Sequence, residues 1–158
     1  MKSCVIYYSR FGNTQAIAEA VANVLADAGE ARAISLDALT AADLADADTV
    51  IVGSPTHYQN LPKAVRTSLA ELPKRALRGK RVAAFDTSVE AWGPLMRMTA
   101  AHRLLPKLRK LGGRRLARPE TFFARRGTVP GSEERQDTLC EGEIERARAW
   151  ADSILAAS

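Results

Sequence analysis

The chain has 158 residues, enough for one ordinary domain that buries its own core and too few for two. Its two cysteines, Cys4 and Cys140, have no Cys or His at metal-ligand spacing, which excludes a thiolate metal cluster and a disulfide framework; both are expected to be structural. The net charge is +5, no run approaches the ~20 apolar residues of a membrane span, and the opening MKSCVIYYSR lacks a signal-peptide core, so a soluble, cytoplasmic protein is expected.

In chain order, Cys4 to Tyr8 is a nearly continuous apolar run, the pattern of a strand buried on both faces. Ile17, Val21, Leu25 and Ala28 recur at helical spacing after it. Ala31 to Leu36 is more mixed and reads as an edge strand, and Asp37 to Ala47 as a short crossover. Thr49 to Val52 and Val82 to Phe85 are central strands, separated by a helix with Leu61, Val65, Leu69 and Leu72 on one face. Met98, Ala101, Leu105, Leu108 and Leu111 form the next helical stripe, stopped by Gly112 and Gly113. Glu120 to Ala124 reads as the second edge strand, Arg125 to Leu139 as a loop, and Ile144, Ala147, Ala151 and Ile154 as the last helix. Alternating strands and helices with right-handed crossovers predict an α/β, doubly wound, five-stranded parallel sheet in a single domain spanning residues 1–158.

Charge is unevenly placed. Glu19, Asp27, Glu30, Asp37, Asp43, Asp46 and Asp48 are set against Arg32 alone, whereas the ten cations from Arg97 to Arg126 are set against Glu120 alone. Such a basic face attracts nucleic acid, an acidic protein or a phosphorylated ligand, or else is simply the solvated helix face of an Arg-rich protein. Nucleic acid is not the expected partner, because the basic segment has no base-stacking aromatic until Phe122 and Phe123, which read as strand.

Ligands of an open α/β sheet bind beyond the carboxyl ends of its strands, and three loops there carry chemistry. Ser9, Arg10, Phe11, Gly12, Asn13 and Thr14 lead straight into a helix, so that free amides of its first turn face an anion. Gly53, Ser54, Pro55, Thr56, His57 and Tyr58 follow the third strand; Asp86, Thr87, Ser88, Val89, Glu90, Ala91, Trp92 and Gly93 follow the fourth. Each of the latter two sets an aromatic or imidazole ring beside hydroxyls and amides, which suits a flat heteroaromatic ligand.

Ser9-Arg-Phe-Gly-Asn-Thr14, Gly53-Ser-Pro-Thr-His57 and the Asp86 to Trp92 stretch together resemble the flavodoxin family, in particular its short members and the flavodoxin modules of flavodiiron proteins. The resemblance implies a sheet ordered 2-1-3-4-5, noncovalent FMN, and electron transfer at an exposed flavin edge. Carried over, Ser9, Arg10, Phe11, Gly12, Asn13 and Thr14 hold the phosphate. Pro55, Thr56, His57 and Tyr58 meet the ring, with His57 on its inner face. Thr87 with Ser88 reaches its pyrimidine edge, Trp92 covers its outer face, and Asp86 belongs to the same cofactor-binding set. Two departures stand out: typical flavodoxins are acidic where this chain is basic, which implies an acidic docking partner, and no glycine lies between Pro55 and Asn60 to turn a peptide towards the reduced ring. The chain is expected to be a monomer or weak dimer serving a redox partner protein.

The competing reading on the same fold is an FMN-dependent oxidoreductase, either an NAD(P)H quinone or flavin reductase or a protoporphyrinogen-oxidase-like protein. His57, Tyr58 and His102 are the proton-transfer groups available to it. A phosphate-accepting signalling receiver needs a carboxylate ending the third strand, where Gly53 and Ser54 stand instead.

Overall fold

The computed structural model describes residues 1–57, 60–89 and 99–158. Elements alternate along the chain: β1 (Lys2–Tyr7), α1 (Asn13–Ala26), β2 (Glu30–Ser35), α2 (Ala41–Asp46), β3 (Thr49–Pro55), α3 (Lys63–Glu71), β4 (Arg81–Val89), α4 (Ala100–Lys110), β5 (Arg114–Arg115), β6 (Glu120–Arg125), β7 (Thr138–Leu139) and α5 (Glu143–Ala156). One sheet runs β2-β1-β3-β4-β6-β7, with β5 also paired to β4. Every pairing is parallel except that of β6 with β7. Five parallel positions in the order 2-1-3-4-5 are therefore present. The fifth is split: β5 pairs with Arg81 and Val82, and β6 with Phe85 to Val89. The edge assigned to Glu120–Ala124 is in turn covered by β7, which grows out of the segment expected to be loop.

Period-two alternation sorts the strand side chains into two cores. Val5, Ile51, Ala83, Phe85 and Phe122 pack under α1 and α5, and Cys4, Val50, Val82 and Ala84 under α2, α3 and α4. In the first core Phe85, Phe122 and Trp150 meet edge to face, with centroids 6.0, 6.0 and 6.1 Å apart, an arrangement worth about 1 kcal/mol per pair beyond burial. Gly53 makes room for it: a Cβ there would lie 2.1 Å from Cζ of Phe85.

Helix α4 stops as its glycines predict. Gly112, at φ 97°, donates to the Arg109 carbonyl and Gly113 to that of Leu108, a Schellman closure. That turn returns the chain to the amino end of β4, where Arg114 N bonds the Lys80 carbonyl. α4 thus runs antiparallel to the strands, its first turn beside the carboxyl ends of β3 and β4. Among the described residues no helix is long and apolar enough to cross a membrane.

Candidate cofactor cleft

A cleft of about 240 Å3 opens at the carboxyl ends of β1, β3 and β4. Its first wall is the turn into α1. Gly12 has φ 87°, a conformation that suits glycine, and its amide bonds Ser9 Oγ at 3.0 Å. The first helical bond runs from Ala16 N to the Gly12 carbonyl, so the amides of Asn13, Thr14 and Gln15 have no carbonyl within the helix to bond. Helix α1 has 14 residues and no acidic residue in its first turn, which leaves the positive end of its dipole facing the cleft unopposed.

The polar side chains of this turn are engaged in holding it. Asn13 Nδ2 donates to the Asp137 carbonyl at 2.9 Å, and the Thr14 and Thr87 hydroxyls pair at 2.8 Å, joining the first loop to the end of β4. The anion site is therefore main chain. Arg10 and Arg135 flank the Phe11 ring, their guanidinium carbons 5.0 and 5.5 Å from its centroid, and both line the cleft.

The opposite wall is built by the ends of β3 and β4. Pro55, Thr56, His57, Thr87 and Ser88 all line it. Thr56 N bonds the Thr87 carbonyl, while His57 and Asn60 exchange two backbone hydrogen bonds of 2.8 and 2.9 Å, which pins the loop's base. Tyr58 and Trp92 lie outside the described residues, so the ring-covering roles expected of them find no description here.

Asp86 stands apart from its neighbours. The sequence reading ended the fourth strand at Phe85 and assigned Asp86 to the loop, in contact with ligand; instead β4 continues to Val89 and Asp86 lies fully buried in the ladder. It is not part of the cleft lining. Thr56 Oγ1 donates to its Oδ2 and Thr121 Oγ1 to its Oδ1 at 2.7 Å. Burial pushes the carboxyl up to about 6, against the opposing effect of hydrogen bonds from Thr56, Thr121, Thr99 and the Ala101 amide. Ser9 and Gly12 are likewise not part of the cleft lining, although they form the turn that leads into α1.

A second cavity of similar volume lies beneath α3, walled by Leu36, Leu44, Val65, Leu69 and Leu72. It has no array of amides at a helix start, and we read it as loose packing under that helix.

The cleft therefore combines a main-chain anion site with a slot edged by hydroxyls and an imidazole. The family model described as Flavodoxin domain matches residues 4–130. The chain belongs to the flavodoxin family. It is 28% identical to a flavodoxin of Clostridium saccharobutylicum over 98% of this chain and 95% of that protein. In fold it is similar to flavodoxin 2 of Bacillus cereus, with TM-score 0.76 and 22% identity over the whole of both chains. The rubredoxin oxygen:oxidoreductase of Desulfovibrio gigas contains a similar unit, with TM-score 0.72 and 22% identity over 99% of this chain and 35% of that one.

As a flavodoxin, this chain binds FMN and transfers electrons with redox partner proteins. The residues present fit that cofactor: free amides at a helix start for a phosphate, and a hydroxyl-edged slot between β3 and β4 for a flat ring. What sequence reasoning missed is the hairpin after β6. Gln136 Nε2 bonds the Phe11 carbonyl at 3.0 Å, and Arg135 makes a bidentate pair with Asp137 at 3.0 and 2.7 Å, which straps this segment onto the phosphate turn. Asp137, buried inside a charged loop, was the available signal only once its burial was known.

Proposed function

We propose that this flavodoxin domain carries electrons, with the first turn of α1 holding the FMN phosphate and the ends of β3 and β4 holding the ring. The observation that carries this reading is the helix start, whose first amides have no carbonyl within the helix and whose Asn13 and Thr14 line the same cleft as Thr56, His57, Thr87 and Ser88. Bound FMN supplies the electron-accepting chemistry. The protein's part is to aim those amides at the phosphate, to keep Thr14 and Thr87 joined beneath it, and to leave one ring edge towards solvent. Arg10 and Arg135 add positive charge at the phosphate end without entering the turn.

Arg10, Arg125, Arg126 and Arg135 are exposed, the first and last on the cleft wall and the other two where β6 ends beside it, which supports a redox partner with an acidic docking face. Cys4 is a buried free thiol, in keeping with a reducing cytoplasm. The test is direct: load the protein with FMN and with riboflavin, and measure both affinities by flavin fluorescence. FMN binding far tighter than riboflavin supports the phosphate assignment, and equal affinities overturn it.

A further inference from the structure

The buried hydroxyl network around Asp86 has no evident part in holding a cofactor. Hydroxyl hydrogens are few in it, and counting them fixes the direction of the bond from Thr121. Thr121 has one hydroxyl hydrogen and gives it to Asp86 Oδ1, so in its 3.2 Å contact with Thr99 it is the acceptor. Thr99 Oγ1 also reaches Asp86 and stands 3.0 Å from His102 Nδ1, so its one hydroxyl hydrogen is shared among these contacts. The row His102, Thr99, Thr121 thus ends on Oδ1 as a donor, and its outer end is an exposed imidazole in contact with water. Oδ2 faces Thr56, which accepts from the Ala100 amide at 2.9 Å and lines the cofactor cleft. Both carboxyl oxygens thus accept a hydroxyl hydrogen, and a proton that neutralises Asp86 displaces one of these two donors.

We propose that Asp86 is a redox-linked proton acceptor, which takes a proton from solvent when the cofactor in the cleft gains an electron and releases it when the electron leaves. This rests on the FMN reading above. The balance is simple: the electron comes from the redox partner, the proton from water, and one O–H bond forms on the Asp86 carboxyl as one of its two hydroxyl donors turns away. The physical cause is a carboxylate held out of water one hydroxyl away from the cleft wall. A negative charge arriving in the cleft disfavours the charged form, and the linkage is reciprocal.

The groups facing Asp86 leave it as the titrating member. From the end of β3 comes the Thr56 hydroxyl, with His57 beyond it on the cleft; from β6 comes Thr121, while Glu120 pairs with Arg146 at 2.8 Å; from α4 come Thr99, His102, the amides of Ala100 and Ala101, and Arg103 one residue further on. Among these only His102 is a titratable side chain joined to the carboxyl by the row of hydrogen bonds.

Burial pushes the carboxyl up to about 6, and a negative charge arriving in the cleft pushes it higher. Between those two values each electron brings a proton. Below the window Asp86 is protonated in both states, and above it ionised in both. The midpoint potential of the FMN-loaded protein should therefore fall more steeply with pH from about 6 upward than in Asp86→Asn. The added slope is at most one proton per electron, about 59 mV for each tenfold change in proton concentration.

The experiment is a potentiometric titration of the FMN-loaded protein from pH 5 to 8, with Asp 13C-carboxyl shifts followed in both redox states. Native protein should show the extra slope and a carboxyl resonance that moves up in pKa on reduction; Asp86→Asn should lose both. Thr121→Val removes a hydrogen bond to the charged form and should move the window to higher pH, and Thr121→Ser should return it. His102→Gln should keep the window. Loss of the window in His102→Gln with its survival in Asp86→Asn would overturn the proposal, as would identical profiles in native and Asp86→Asn. Failure to load FMN appears before any titration; it overturns the cofactor reading and carries this proposal with it.

Discussion

The two ends of the sheet handle charge in opposite ways. At the carboxyl ends, where the cleft opens, polar work is done by amides and by the hydroxyls of Thr14, Thr56, Thr87 and Thr121, with the carboxyl of Asp86 sealed beneath them and that of Asp137 paired with Arg135. At the amino ends Lys74, Arg75, Arg78, Arg109, Lys110, Arg114 and Arg115 stand exposed around the starts of β4 and β5. Arg81 and Arg114 are register partners there, and the Leu77 amide bonds the Leu111 carbonyl, which brings the two basic segments together. The positive charge conspicuous in the composition is thus mostly remote from the cofactor. It was the natural candidate for tuning a flavin, and its position in the fold removes most of its leverage.

The largest effect that would break this contrast concerns Asp86. The folded carboxyl holds its proton up to about pH 6, whereas the unfolded chain gives it up near the ordinary value of 3.8. Between those values the native state binds more protons than the unfolded one, so stability from this group is full below about pH 4 and is lost as pH rises to 6. The difference is worth roughly 3 kcal/mol. Urea unfolding at fixed FMN should show native protein weakening across that interval and Asp86→Asn staying nearly flat; a parallel decline in both would mean the carboxyl is not the strained group.

Next in size is the main-chain anion site. Gly12→Val forces a branched residue into φ 87° and should distort the turn that presents the Asn13, Thr14 and Gln15 amides. Losing one or two charge-assisted hydrogen bonds costs about 3 kcal/mol, roughly a hundredfold in FMN affinity. Riboflavin, without the phosphate, should weaken only a few-fold by fluorescence titration. A matching loss for both ligands would put the phosphate elsewhere.

The hairpin strap is the smaller contributor at the same end. Arg135→Ala removes one of the two cations over Phe11 and unpairs Asp137. Because Arg135 is exposed, the cation–ring contact is worth about 1 kcal/mol or less, and FMN affinity measured by fluorescence should drop about fivefold. No change would mean that the strap holds the loop's shape without helping the ligand.

How much of this was legible beforehand depends on the kind of signal. β1, β3 and β4 were readable because both their faces are buried and their side chains are uniformly apolar. Their carboxyl ends were not, since Ser54, Pro55 and Asp86 to Val89 look like loop until the ladder partners that extend them are known. β5 is two exposed arginines, a strand by backbone pairing alone, with no side-chain pattern to announce it. In the site, the phosphate turn was legible as Gly12 before a helical stripe. The use of Asn13 and Thr14 as internal ties was not, because Asp137 and Thr87, their partners, lie 124 and 73 residues away along the chain. Trp150, one of the three rings in the first core, also escaped notice, since its place in α5 follows from Phe85 and Phe122 across the sheet.

The smallest prediction sharpens the contrast between the two ends. A strand rises about 3.3 Å per residue, so the nine residues of β4 separate Arg81 from Val89 by roughly 26 Å. A unit charge ~25 Å away through water contributes about 0.2 kcal/mol, which for a one-electron couple is about 7 mV. At physiological salt the screening length is about 8 Å and most of that disappears. Reversing Arg114 and Arg115 to Glu should therefore leave the flavin potential within about 10 mV of native at 0.15 M salt. The same reversal at Arg10, on the cleft wall, should lower it by more, since the added electron then meets a like charge a short distance away. Measured side by side by potentiometry, the two variants separate local from global electrostatics. Equal shifts from both would mean that the net charge of the whole molecule sets the potential, and that the remoteness of the basic end counts for nothing.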